Sequence, residues 1–192
     1  YIPLIFMGEE YGESSPFLYF VSHGDPNLIK AVREGRKSEF KSFRWKGEPP
    51  DPQSVDTFFQ SKIDWDSRNR GKHKVLWHYY KELISLRKNL SISSTSDKHK
   101  IRVCEQPVDK VFVMHRWDGS DEVIVIFNFN KELVNFKLNI PSGKWTKMLD
   151  SADQEWQSSG TELSKTLTAG NKYSIKPLSM AVYRDVKRDS SS

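Results

Sequence analysis

The sequence predicts two unlike halves: an α/β segment with one buried strand and several helices, then an antiparallel β-sandwich. Three observations carry this. The chain opens on IPLIFM, a continuously apolar run of strand length. Helical periodicity then dominates to about residue 90. After the Ser-rich break NLSISSTSD the pattern turns to alternation and keeps it. The division is expected near residue 93, giving domains 1–93 and 94–192.

A run apolar throughout fits a strand covered on both faces, as in a parallel sheet. Such a strand needs neighbours reached through crossovers, and none precedes IPLIFM. The expectation is therefore the later part of a larger fold. SSPFLYFVSHGDP reads as an aromatic loop that ends at a helix, with Asp25 as N-cap and Pro26 as first helical residue. Leu28, Ile29, Val32, Arg36, Phe40 and Phe43 approximate one helical face. GEPPDPQ ends that helix with three prolines in seven residues.

VDTFFQSK predicts a short helical turn, and a longer helix is expected over residues 72–89. Its stripe is Leu76, Trp77, Tyr80, Leu83, Ile84 and Arg87. Eight short strands follow: KIRVCEQ, KVFVMHRW, EVIVIFNFN, VNFKLNI, KWTKML, ELSKTLT, NKYSIK and MAVYRD. WDGSD carries a hairpin signal. VIVIF is expected at the centre of the sheet, because consecutive apolar residues require cover on both faces.

A chain of 192 residues can bury a substantial core, and 36% hydrophobic residues exclude wholesale disorder. The net charge of +5 comes from 30 basic and 25 acidic residues that intermingle. No basic stripe with interleaved aromatics appears, so no nucleic-acid partner is expected. The single cysteine, Cys104, excludes an internal disulfide and reads as a buried small hydrophobe. No apolar run is long enough to span a membrane, so no membrane partner is expected.

Among residues that could carry chemistry, Glu9 and Glu10 come first. Neighbours on a strand point to opposite faces, so the pair cannot flank one glycosidic bond and at most one faces a cleft. A carboxylate at the end of a parallel strand is well placed for ligand. The plainer alternative is that one Glu anchors a loop. Phe17, Tyr19 and Phe20 can form a platform for sugar rings, with Tyr19 and Tyr11 favoured for their polar tips. His23 can donate to a sugar hydroxyl, but no nucleophile motif accompanies it. His73 and His78 are five apart, not the i, i+4 of a zinc helix, and no metal site is expected. His115 is expected on the sandwich. Trp45, Trp65, Trp117, Trp145 and Trp156 could line a groove or pack; packing is the simpler reading.

IPLIFMGEEYGE resembles the eighth-strand region of the α-amylase superfamily. PFLYFVSHGDPNLIKAVREGRKSEF, GEPPDPQ and TFFQSKIDW resemble the malto-oligosyltrehalose trehalohydrolases, and HKVLWHYYKELISLRK resembles the superfamily's final barrel helix. The resemblance implies the C-terminal end of a (β/α)8 TIM barrel, its last strand and helices, followed by the β-sandwich. It implies hydrolysis of the α-1,4 bond beside the terminal trehalose of maltooligosyl trehalose, with retention through two carboxyl groups. Those carboxyl groups lie on earlier barrel strands, and no position here matches them. No catalytic residue is therefore expected in this chain. Glu10 and Tyr11 match the strand-end motif at the cleft rim, and Tyr19 and His23 complete the expected substrate contacts. The implied partners are maltooligosyl trehalose or another α-glucan and the missing N-terminal barrel. No cofactor is implied, and the location implied is cytoplasmic. Two rival readings are the tail of a glycogen branching enzyme, against which SHGDP and PPDPQ speak, and a freestanding glucan-binding sandwich.

Overall fold

The computed structural model describes residues 3–42, 47–90, 97–106, 110–118 and 121–185. Trp45, Phe43, most of the Ser-rich break and the tip of the WDGSD turn lie outside them. The chain forms two compact units, Leu4–Lys74 and one that takes in everything from Val75 onward. The division between these two units falls within the helix Gly71–Asn89.

The first unit is built from loops and helices. Residues 3–6 hold no regular structure, so the strand expected at IPLIFM is not formed. Leu4 is 92% exposed, and Ile5, Phe6 and Met7 are also open to solvent. The physical reason is pairing: a strand exists only as part of a sheet, and no described strand lies beside this one. The barrel end that the sequence suggests is accordingly not visible here. Helix α1 spans Pro26–Ser42, and Asp25 Oδ1 accepts from the backbone N–H of Asn27 and Leu28 at 2.7 and 3.3 Å. Its less exposed positions are Ile29, Val32, Arg36 and Phe40, one face at i, i+3, i+7 and i+11. Helix α2, Val55–Gln60, is capped by Ser54, whose hydroxyl accepts from Asp56 N.

Helix α3 spans Gly71–Asn89. Eight strands follow in the predicted order: β1 Ile101–Glu105, β2 Val111–Asp118, β3 Asp121–Asn128, β4 Val134–Lys137, β5 Trp145–Asp150, β6 Thr166–Leu167, β7 Lys172–Ile175 and β8 Ser179–Asp185. They form a six-stranded antiparallel sheet, β1-β2-β3-β8-β5-β6, and a two-stranded sheet, β4-β7. Strand β3 lies inside the larger sheet, and its register pairs Asp121 with Asp118 across the hairpin.

Side chains of β3 alternate between two cores. Ile124 and Ile126 join Val113, Tyr183, Phe136 and Leu138, the last two from the smaller sheet and its extension. Val123 and Val125 join Leu149, Val182 and Leu90, with Tyr79, Leu83 and Leu86 of α3 packed against them. VIVIF is thus covered on both faces, each buried aliphatic contributing roughly 1.5–3 kcal/mol. The helix stripe differs from the sequence reading by a rotation. Tyr79, Leu83, Leu86 and Leu90 meet the sheet, while Ile84 and Arg87 stay exposed. Periodicity located the apolar helix but could not say which flank of a broad stripe the sheet would claim.

Buried polar groups pin the strand ends. The Asn128 amide donates to the carbonyls of Glu132, Ile175 and Lys176, which joins β3 to β7. Asp150 is 2% exposed and accepts from Thr161 Oγ1, from Ala152 N at 2.9 Å and from Lys147 Nζ at 3.2 Å. Lys147 also donates to Thr161 Oγ1 and to the Leu163 carbonyl. Trp145 is fully buried and donates through Nε1 to Pro141 O, Trp117 stacks on the buried His115, and Trp156 meets Tyr79 edge to face. Cys104 is half-buried at the edge of the core.

Lys147→Met should cost about 3 kcal/mol, because Asp150 keeps two donors but loses its counter-charge in a dry setting. Lys30→Met, which removes an exposed helix pair, should cost less than about 0.5 kcal/mol. Urea unfolding followed by circular dichroism compares the two.

Candidate functional site

The expected site residues all fall in the first unit, and its local structure starts at MGEEYGE. Gly8 and Gly12 have φ of 87° and 67°, a left-handed region open to glycine, and they bracket one 3-10 turn, Glu9–Tyr11. A Cβ on Gly8 would lie 2.6 Å from Glu13 Cβ, so no larger residue fits. The three carboxylates of GEEYGE meet different environments. Glu9 Oε2 accepts from Phe6 N at 3.0 Å and closes its own turn. Glu13 is fully engaged: Oε1 accepts from Ser14 N and Ser15 N, and Oε2 from Tyr11 Oη and Asp64 N, all within 2.9 Å. Half-buried Glu10 makes no hydrogen bond or ion pair among the described residues. It is the one of these carboxylates that no described residue engages.

Tyr11 departs from the expectation. It is 0% exposed, its hydroxyl is held by Glu13, its ring lies 6.4 Å from that of Trp65, and its carbonyl oxygen sits 2.9 Å from His73 Nδ1. A phenol buried in this way, with its hydroxyl held by Glu13, is not open to a sugar. Burial and then the Glu13 carboxylate push its pKa up to about 12. Burial also acts to raise the Glu13 carboxyl, but the Ser15 amide, the Tyr11 hydroxyl and the Asp64 amide outweigh it and bring it down to about 2. A cleft of about 230 Å³ opens beside this turn, walled by Phe6, Glu9, Pro16, Phe17 and Ile63; of Glu9 and Glu10, only Glu9 lines it.

The aromatic loop is strapped along residues 51–61. Leu18 N donates to Ser61 Oγ, and Val21 N donates to the Pro52 carbonyl at 2.9 Å. The Gln53 amide clasps the His23 backbone from both sides, accepting from its N–H at 3.2 Å and donating to its carbonyl at 2.8 Å. Asp51 accepts from Gln53 N and takes a bidentate bond from Arg33 at 2.8 and 2.7 Å, which holds its carboxyl below the ordinary range. SHGDP and PPDPQ, distant in sequence, are therefore one structure. The clasp leaves the His23 imidazole without a hydrogen bond among the described residues.

Tyr19 is 47% exposed and rests on Arg36 of α1, whose guanidinium carbon lies 5.0 Å from the ring centre. Phe17 and Phe20 are also exposed, with Phe17 edge-on to Phe6 and Phe20 edge-on to Phe58. Glu10, Tyr19 and His23 are presented by one anchored loop system, though no bond or ring contact joins them directly among the described residues. Sequence reasoning missed the anchors Glu13, Asp51 and Gln53. The second Gly-Glu of GEEYGE and the Asp-Pro-Gln of a proline-rich turn were the available signals.

The depressed Glu13 pKa fixes a pH window. A carboxyl whose folded value is lowered stabilises above its unfolded value and loses that contribution as pH falls, here between about 4.5 and 2. Protection of the Ser15 and Asp64 amides from hydrogen exchange should fall across that window. In Glu13→Gln it should be low throughout and nearly flat with pH.

Residues 102–185 match the alpha amylase C-terminal all-beta domain. A malto-oligosyltrehalose trehalohydrolase of Rhizobium sp. (strain M-11) is 33% identical over 189 residues, covering 96% of this chain and 28% of the relative. That of Deinococcus radiodurans is 43% identical over 132 residues, covering 68% of the chain and 22% of the relative. A crystal structure assigned to an alpha amylase of Salmonella typhimurium superposes with a TM-score of 0.69 at 26% identity, over 96% of this chain and 28% of that one. The trehalose-6-phosphate hydrolase of Bacillus licheniformis shares the fold at a TM-score of 0.51 and 19% identity, over 95% of this chain and 36% of its own. The chain spans little more than a quarter of the Rhizobium relative's length. Residues 102–185 thus carry the C-terminal all-β domain of the α-amylase family, and the chain as a whole is similar to the C-terminal part of the malto-oligosyltrehalose trehalohydrolases.

Proposed function

We infer that this chain is the closing part of a cytoplasmic glycoside hydrolase that cleaves the α-1,4 bond beside the terminal trehalose of maltooligosyl trehalose, a step in trehalose formation. The observation that carries this reading is similarity to trehalohydrolases that extends across the anchored loops as well as the β domain. In this reading residues 1–93 complete a (β/α)8 barrel and residues 94–192 form the sandwich beside it. The open apolar side chains of residues 4–7 then become the two covered faces of a barrel strand, alternating between them, once neighbours are present.

The chemistry is divided accordingly. The two carboxyl groups of a retaining hydrolysis belong to earlier barrel strands, and this chain alone turns over nothing. Its own residues bind and orient. Glu10 accepts from sugar hydroxyls, the Tyr19 ring stacks on a glucose face, and His23 donates from the rim. Tyr11 contributes through Glu13, which fixes the turn that presents Glu10.

The full-length protein should release trehalose from maltotriosyl trehalose, and the 192-residue chain should release none. Formation of α-1,6 branches from amylose instead would turn the reading to a branching enzyme. Glucan binding undiminished in the isolated residues 94–192 would turn it to a binding module. Glu10→Gln should raise KM about tenfold or more, the scale of a hydrogen bond to a charged group, with a smaller change in kcat.

A further inference from the structure

The inward face of α1 contains an anomaly. Ile29, Val32 and Phe40 are the residues expected on a packed stripe, but its middle position is Arg36. A charge placed there needs partners, and it has three. Its guanidinium carbon lies 5.0 Å from the Tyr19 ring and 4.9 Å from the Phe40 ring, and its Nη1 donates to Glu39 at 2.5 Å. The planar cation is thus held by the Glu39 carboxylate on its own helix and stacked against two rings, one of them on the aromatic loop.

We propose that Arg36 is a positioning residue for carbohydrate binding: it locks the Tyr19 ring in place, from α1, so that the ring's open surface receives a pyranose of an α-glucan. The inference rests on the reading of Tyr19 as a sugar contact and adds the reason that contact is preorganised. A tyrosine on a loop samples several rotamers, and a ligand that stacks on it must first immobilise it. Arg36 meets that cost in the folded protein, before ligand arrives. The arrangement suits a neutral sugar, because one side of the ring is already occupied by a cation and a second cation would be repelled. Loss of Arg36 should therefore weaken binding without removing any group that touches the sugar.

The test is a double-mutant cycle on maltohexaose affinity, measured by titration calorimetry with the full-length protein. Tyr19→Ala should weaken binding at least threefold. Arg36→Met should weaken it about two- to tenfold, the scale of one immobilised side chain. In the Tyr19→Ala background Arg36→Met should change Kd less than about twofold, since the ring it positions is gone. Arg36→Lys, which keeps the charge but not the planar stack, should fall between Arg36→Met and the wild type. Glu39→Gln loosens the guanidinium while leaving every apolar contact, and should reproduce part of the Arg36→Met effect even if the latter disturbs α1. If Tyr19→Ala weakens binding and Arg36→Met does not, or if the two effects are additive, the positioning role is overturned. If Tyr19→Ala leaves Kd unchanged, the reading of Tyr19 as a sugar contact falls, and this inference with it.

Discussion

The first unit depends on one carboxylate whose acceptor sites are all in use. Glu13 takes two consecutive backbone amides at the start of the aromatic loop, one amide from fifty-one residues further on, and one buried phenol. Each of those donors would otherwise be unsatisfied or wet, and together they tie the Gly-bracketed turn, the loop and the segment before α3 into one body. Tyr11 can be fully buried because its hydroxyl ends on this charge. Glu10 can remain open because its neighbours Glu9 and Glu13 do the local structural work.

The same economy appears in the clasp between Gln53 and His23. A side-chain amide there takes the place of a neighbouring strand, satisfying both backbone groups of His23 and leaving its ring available. With the Val21–Pro52 bond it keeps an extended segment ordered without a sheet. Loops that present ligand contacts need such anchors, since an exposed extended backbone has no secondary structure of its own to fix it. The β unit solves a different problem. Its larger sheet is covered by α3 on one face and by the smaller sheet on the other, so β3 contributes to both cores and its buried side chains alternate between them.

The β unit was legible to a high degree. All eight strands appear in order, with VIVIF doubly covered, because alternation and double burial leave direct marks on side-chain type. Helix α1 starts at Pro26 under an Asp25 cap, as its sequence states. The IPLIFM strand is the exception: its composition calls for a sheet, and the neighbours that make a sheet are not among the described residues. Tyr11 shows the limit for a site. A tyrosine beside two glutamates looks like a ligand contact, and only the position of Glu13 turns its hydroxyl inward.

Local chemistry alone therefore determined the kinds of element, their order and the caps that start them, since propensity, periodicity and turn residues act over a few positions. Tertiary structure decided which carboxylate stays open, which flank of α3 meets the sheet, and why SHGDP and PPDPQ belong together. Those outcomes hang on contacts across thirty to fifty residues, Gln53 with His23 and Glu13 with Asp64. No local pattern encodes them, because the hydrogen bond that selects each arrangement exists only after the chain has folded back on itself.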